Sequence, residues 1–222
     1  MVYFKNLLPE FSASMHPHGV LYTPENEGAK WRLNNFPGSG VAPGDSFVYE
    51  WIVREDAGPN GDDGSILWFY HGHVDPVADM YSGQMGPLIV YEKGVLGDDG
   101  LPADVDEEYV VLFIVSDENQ SNYLDANVDL FGGDPDDEDF EESNLMHSMN
   151  GFIYGNLPGL EMDEGDRVRW HLAAYGTEVD LHTAHWHGNV VKFNGRNVDT
   201  VELLPSTFAT TIMTPDAEGS WL

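Results

Sequence analysis

The chain has 222 residues, 41% of them hydrophobic and 12% aromatic. That is enough to bury a core in one large domain or two small ones, and it excludes a disordered acidic tail. Thirty-nine acidic residues against nine Lys and Arg give a formal charge of −30, which excludes a phosphate-binding surface and with it a nucleic-acid partner. No apolar run is long enough to span a membrane, and the absence of cysteine removes disulfides and cysteine-ligated metal.

Self-repulsion at this charge costs stability at low salt and is relieved when salt screens it, the Debye length being about 3 Å near 1 M. A salt-loving host and an ordinary acidic extracellular protein are both open. At the N-terminus, Met1-Val2-Tyr3-Phe4-Lys5 carries no charged-then-apolar leader, so no signal peptide is read there.

Strand signals dominate along the chain. Ser46 to Val53 alternates with Phe47, Tyr49 and Trp51 on one face. Gly94 to Asp106, rich in Gly, Pro and Asp, reads as a boundary. Tyr109 to Val115 is a continuous apolar run suited to a buried strand. Asp134 to Glu142 packs seven acids into nine residues, without the ligand spacing of a dedicated calcium loop, and reads as solvated. Arg167 to Ala173 alternates, and Thr207 to Met213 is β-branched and apolar. No window carries an amphipathic helix of useful length. The expected fold is all-β, a sandwich or barrel built of short strands.

The chain also repeats itself out of phase. Val168-Arg169-Trp170-His171-Leu172 precedes His185-Trp186-His187-Gly188, as Val2-Tyr3-Phe4-Lys5-Asn6-Leu7 precedes His16-Pro17-His18-Gly19. The expected division is 1–97 and 105–222, the first repeat entered inside its strand and the second ending before its last motif. The sequence thus reads as part of a longer pattern.

Seven of the nine histidines fall into three clusters: His16/His18, His71/His73 and His182/His185/His187. Random placement would give less than one His-x-His pair, and there are three. Residues two apart in a strand point to one face, so each pair sets two imidazoles side by side. Imidazole suits Cu, Zn, Fe and Ni, and a carboxylate-free imidazole cluster favours copper. His147 and His171 stand alone and read as structural. Affinity is expected to fall below about pH 6, as imidazoles of pKa near 6.5 protonate.

His16-Pro17-His18-Gly19, Tyr70-His71-Gly72-His73 and His182-Thr183-Ala184-His185-Trp186-His187-Gly188 resemble three of the four copper motifs of multicopper oxidases, in that family's order. Tyr81-Ser82-Gly83-Gln84-Met85-Gly86-Pro87-Leu88-Ile89 is similar to the ceruloplasmin and hephaestin branch. So are Asp139-Phe140-Glu141-Glu142-Ser143-Asn144, Met149-Asn150-Gly151-Phe152 and Gly155-Asn156-Leu157-Pro158-Gly159-Leu160. The resemblance implies two cupredoxin-like Greek-key barrels, each incomplete. It implies that His16 and His185 hold type 2 copper, that His18, His71, His73 and His187 hold part of the type 3 pair, and that His182 is one type 1 ligand. The partners implied are O₂ and a small reducing substrate, Fe(II) or phenol-like. Glu178 falls where the branch places an iron-side carboxylate, its plain alternative being a solvated acid. A small homotrimeric member, or partner domains beyond this chain as in six-domain members, and an extracellular or periplasmic setting are also implied.

The chain departs from the family in lacking the fourth motif, His-Cys-His, which leaves the type 1 site incomplete and the chain as given inactive by expectation. Asp75, two residues after His73, is weighed as a proton relay and set aside. Three rivals stand beside this reading: a non-catalytic cupredoxin binding module, a truncated copper-binding protein without oxidase activity, and a mononuclear zinc or iron enzyme.

Overall fold

The computed structural model describes residues 1–31, 35–61, 63–176 and 181–221. The strands are β1 (Val2–Lys5), β2 (His16–Pro17), β3 (Ser46–Tyr49), β4 (Ser65–His71), β5 (Met85–Tyr91), β6 (Glu107–Asp117), β7 (Leu145–Met149), β8 (Phe152–Ile153), β9 (Val168–Ala174), β10 (His182–His185), β11 (Val191–Phe193), β12 (Arg196–Val198), β13 (Thr200–Leu203) and β14 (Thr207–Met213). Short helices α1 (Pro76–Tyr81), α2 (Leu124–Phe131) and α3 (Glu138–Ser143) interrupt them. The fold is all-β, as expected, and α3 takes up part of the acidic run. Among the described residues no helix is long and apolar enough to cross a membrane.

The chain divides into two compact units. The first comprises Met1–Ala57, Trp68–Leu88 and Asp117–Leu145; the second comprises Gly58–Leu67, Ile89–Ser116 and Met146–Leu222.

In the first unit β1 pairs antiparallel with β3, and β2 enters a sheet ordered β2-β4-β5. The alternation at Ser46 to Val53 does place its aromatics together: the Phe47 and Tyr49 rings are 4.8 Å apart, and those of Tyr49 and Trp51 5.8 Å. The strand stops at Tyr49, which is wholly buried; its hydroxyl donates to the Gly38 carbonyl at 2.6 Å and accepts from the Met15 amide at 3.1 Å. A buried phenol with both capacities used contributes apolar burial without an orphaned polar group.

The second unit is a seven-stranded sheet in the order β12-β11-β14-β9-β6-β7-β8, with β10 and β13 as a separate antiparallel pair. Val168, Trp170 and Leu172 of β9 pack with Ala184 of β10, Val191 of β11, Val201 and Leu203 of β13 and Met213 of β14. Each fully buried Leu or Val contributes about 1.5–3 kcal/mol. β6 and β9 run parallel, from Glu107 opposite Val168 to Phe113 opposite Ala174, which requires the long connection between them.

One strand differs from its sequence pattern. Arg167 to Ala173 alternates polar and apolar residues in sequence, yet every residue of β9 is buried, and Arg169 and His171 are both 0% exposed. The reason is a buried charge network. Arg169 donates to Glu108 at 2.9 Å, to the Asp63 carbonyl at 2.7 Å and to Asp104. His171 lies 3.2 Å from Glu108 and 3.0 Å from the Thr210 hydroxyl, and the Tyr91 hydroxyl donates to Glu108. Burial pushes the Glu108 carboxyl up, but hydrogen bonds from His171, Tyr91 and Arg169 outweigh it and hold its pKa at about 2. The polar face of β9 is turned inward because its partners wait there. His171 is structural.

Candidate metal centre

Two local features bring the first unit's histidines together. β2 pairs with β4 so that His16 lies opposite His71, and the His18 amide extends that pairing to the Phe69 carbonyl at 2.8 Å. Each strand ends inside its His-x-His motif, β2 at Pro17 and β4 at His71. Gly19 follows at φ +74°, where an added Cβ would sit 2.0 Å from the Trp68 indole, so only glycine allows the chain to turn over that ring directly after His18.

The four rings form one group. Centroids are 5.3 Å apart for His16 and His18, 5.4 Å for His16 and His71, 5.3 Å for His18 and His71, 5.0 Å for His16 and His73, and 5.6 Å for His71 and His73. The ligand atoms of His16, His18 and His71 all lie within 4.8 Å of one another. The Nε2 atoms of His18 and His71 are 3.1 Å apart. Two imidazole nitrogens bound at about 2.0–2.1 Å to one ion are at most about 4 Å apart, so this pair fits a single cation between them.

Backbone carbonyls assign the tautomers. His16 Nδ1 lies 2.8 Å from the Glu27 carbonyl and His71 Nδ1 2.7 Å from the Gly72 carbonyl. A carbonyl only accepts, so both Nδ1 atoms carry the proton and both Nε2 atoms present a lone pair. Burial, with the charges of His71, His16 and His73 adding to it, lowers His18 to about 4. Burial likewise lowers His16 and His71. Neutral imidazole is the metal-binding form, and these three hold it below the usual range.

The second unit's histidines are arranged differently. β10 pairs with β13, His182 opposite Leu203 and His185 opposite Thr200. His182 shares the strand face of Ala184, which is 4% exposed, and its ring lies 5.9 Å from Phe113. His185, three residues on, points to the other face and is exposed, with Nε2 3.5 Å from an Asp199 carboxylate oxygen. The His185 and His187 rings are 5.0 Å apart, and His187 stacks on Trp221 at 6.1 Å. The sequence therefore grouped three histidines that the strand separates into His182 and the His185/His187 pair. Asp199 and Trp221 carried no signal in the sequence; pairing of β10 with β13 places the one and ring stacking the other.

Glu178 lies outside the described residues. Asp75 caps α1, accepting from the Ala78 amide at 3.3 Å. The first unit's donor set is all imidazole, which suits a first-row transition ion rather than the oxygen-seeking Ca²⁺ or Mg²⁺.

No family model matches the chain. Similar solved structures include the multicopper oxidase mgLAC, at a TM-score of 0.69 and 20% identity, covering 98% of this chain and 63% of that one. The blue copper oxidase of Nitrosomonas europaea is similar at a TM-score of 0.66 and 23% identity, covering 98% and 63%. The fold is thus that of the cupredoxin domains of multicopper oxidases. Among curated relatives, ferroxidase HEPHL1 of Mus musculus is 42% identical over 220 residues, 94% of this chain and 19% of its own length. Human hephaestin is 39% identical over 221 residues, covering 94% and 19%, and rat (Rattus norvegicus) ceruloplasmin 42% over 221, covering 96% and 21%. The chain spans about a fifth of the length of these relatives. Over nearly its whole length it is similar to a part of multicopper oxidases of the ceruloplasmin and hephaestin kind.

Proposed function

We propose that the chain is the copper-binding portion of a multicopper oxidase that couples one-electron oxidation of a reducing substrate to four-electron reduction of O₂ to water. The observation that carries this is the 3.1 Å approach of His18 and His71 within a group of four imidazoles. The residues fit the ion: neutral nitrogens on rings locked by carbonyls are copper ligands in both chemistry and tautomer. Bound copper would supply the one-electron redox steps; the chain's part is to hold, orient and desolvate.

In this reading His18, His71, His73 and His187 would hold part of the type 3 pair, and His16 and His185 would hold type 2 copper. His182, on the opposite strand face from His185, is a type 1 ligand. The repeats 1–97 and 105–222 are two cupredoxin domains. The facing histidines that complete each set come from a neighbouring copy, as in a homotrimer, or from further domains of a longer protein. The relatives named ferroxidase favour Fe(II) as substrate over phenols, with Glu178 as its carboxylate on the resemblance alone. An extracellular or periplasmic setting rests on the resemblance alone.

Purified chain loaded with copper tests the reading. It should bind copper, lose that binding in His18→Ala and His71→Ala, show no intense blue band and consume no O₂ with Fe(II), because the chain has no cysteine to give thiolate-to-copper charge transfer. Uptake indifferent to both substitutions, or a strong blue colour, would contradict it. Absence of uptake would leave the non-catalytic binding module standing.

A further inference from the structure

We infer that Asp79 is a positioning residue for the first unit's metal ligands, acting through the backbone on either side of His73. The inference rests on the copper-site reading above and concerns how that site is held.

Asp79 lies in α1, six residues beyond His73, and is 2% exposed. A buried carboxylate is costly unless its oxygens are satisfied. Oδ2 accepts from the Val74 amide at 3.0 Å and the Asp75 amide at 3.1 Å. Oδ1 accepts from Gln84 Nε2 at 3.2 Å and Asn122 Nδ2 at 3.3 Å. Four donors converge on one side chain, and two are the amides that immediately follow His73.

The other flank of His73 is fixed by contact. A Cβ on Gly72 would stand 2.7 Å from the Asp79 Cβ, so the bare Gly72 backbone packs directly on Asp79. The Gly72 amide donates to the Gln84 carbonyl at 2.7 Å, and the Gln84 amide to the Asp79 carbonyl at 2.9 Å. The Gly72 carbonyl is the group that takes the His71 Nδ1 proton, and the His73 amide is held by Ser14 Oγ at 3.1 Å. One carboxylate thus sets the carbonyl that orients His71 and the backbone turn that carries His73. Partners beyond the ligands typically change metal affinity about 10–100-fold.

Positioning of this kind depends on shape rather than charge, and two substitutions separate them. Asp79→Asn keeps one oxygen for the Val74 and Asp75 amides, and its NH₂ can donate to Gln84 and Asn122 once their terminal amides turn over. Asp79→Glu keeps the charge and displaces the oxygens by one methylene. Cu(I) affinity of the whole chain, read by competition with a chromophoric chelator, should stay near wild type in Asp79→Asn and fall about 10–100-fold in Asp79→Glu. Unfolding of the metal-free proteins shows that both variants fold; should Asp79→Glu prevent folding, Asp79→Ser, which removes an acceptor without adding bulk, takes its place. Equal affinity in all three proteins, or Asp79→Asn weaker than Asp79→Glu, overturns the inference. His71→Ala in the same titration identifies the other failure: if it binds as wild type, the site reading has fallen rather than the role of Asp79.

Discussion

Buried histidine is used in two opposite ways in this chain. In the second unit His171 is 0% exposed, and its ring nitrogens meet Thr210 and Glu108, beside an arginine that neutralises the acid. In the first unit His16, His18 and His71 are half-buried among one another; two spend Nδ1 on a carbonyl, one ligand nitrogen from each ring lies within 4.8 Å of the others, and the Nε2 atoms of His18 and His71 are 3.1 Å apart. The two roles are told apart by what their ring nitrogens meet. A structural histidine finds donors and acceptors of complementary kind, whereas a ligating one has its outer nitrogen locked and its inner nitrogen set beside others like it.

The largest expected effect breaks the second unit alone. Arg169→Met strands Glu108 and Asp104 against a buried face and should destabilise the chain by about 3–5 kcal/mol, read as a shift in denaturant midpoint at unchanged slope. Its metal affinity per folded molecule should be unchanged. A loss of affinity in the folded variant would show that the two clusters are not separate in function.

The pH response should split them next. His18, at about 4 when folded against an ordinary 6.5, is held neutral by folding, so its contribution is complete above about pH 6.5 and is lost as pH falls through 4. Glu108, at about 2 against 4.5, contributes fully above about 4.5 and is lost only towards 2. Metal-free chain should therefore weaken in two windows, the first reduced by His18→Ala, with His16 and His71 still contributing to it, and the second removed by Glu108→Gln. The same depression carries proton competition for the metal below the pH 6 expected from ordinary imidazoles. A single transition centred near 6.5 in His18 ring NMR would contradict the burial assigned to it.

Much of this was legible in the sequence, for identifiable reasons. The Thr207 to Met213 strand agrees residue for residue, because β-branched runs leave the backbone little choice. The three His-x-His pairs stood out because identity and spacing are local. What was not legible depends on pairing across the chain. The register of His16 opposite His71, the inward turn of Arg169, the opposite faces of His182 and His185, and the four donors on Asp79 all require partners distant in sequence.

The site reading stands or falls on His18 and His71 holding one ion between them, with His16 beside it. Imidazole ¹⁵N spectra of the chain with one equivalent of Cu(I), a diamagnetic ion, test it most directly. Shifts at the Nε2 atoms of His18 and His71, with His171 unmoved and Nδ1 of His71 still protonated, are the expected result. Metal appearing first on His185 and His187, or spread evenly over all nine histidines, would contradict it.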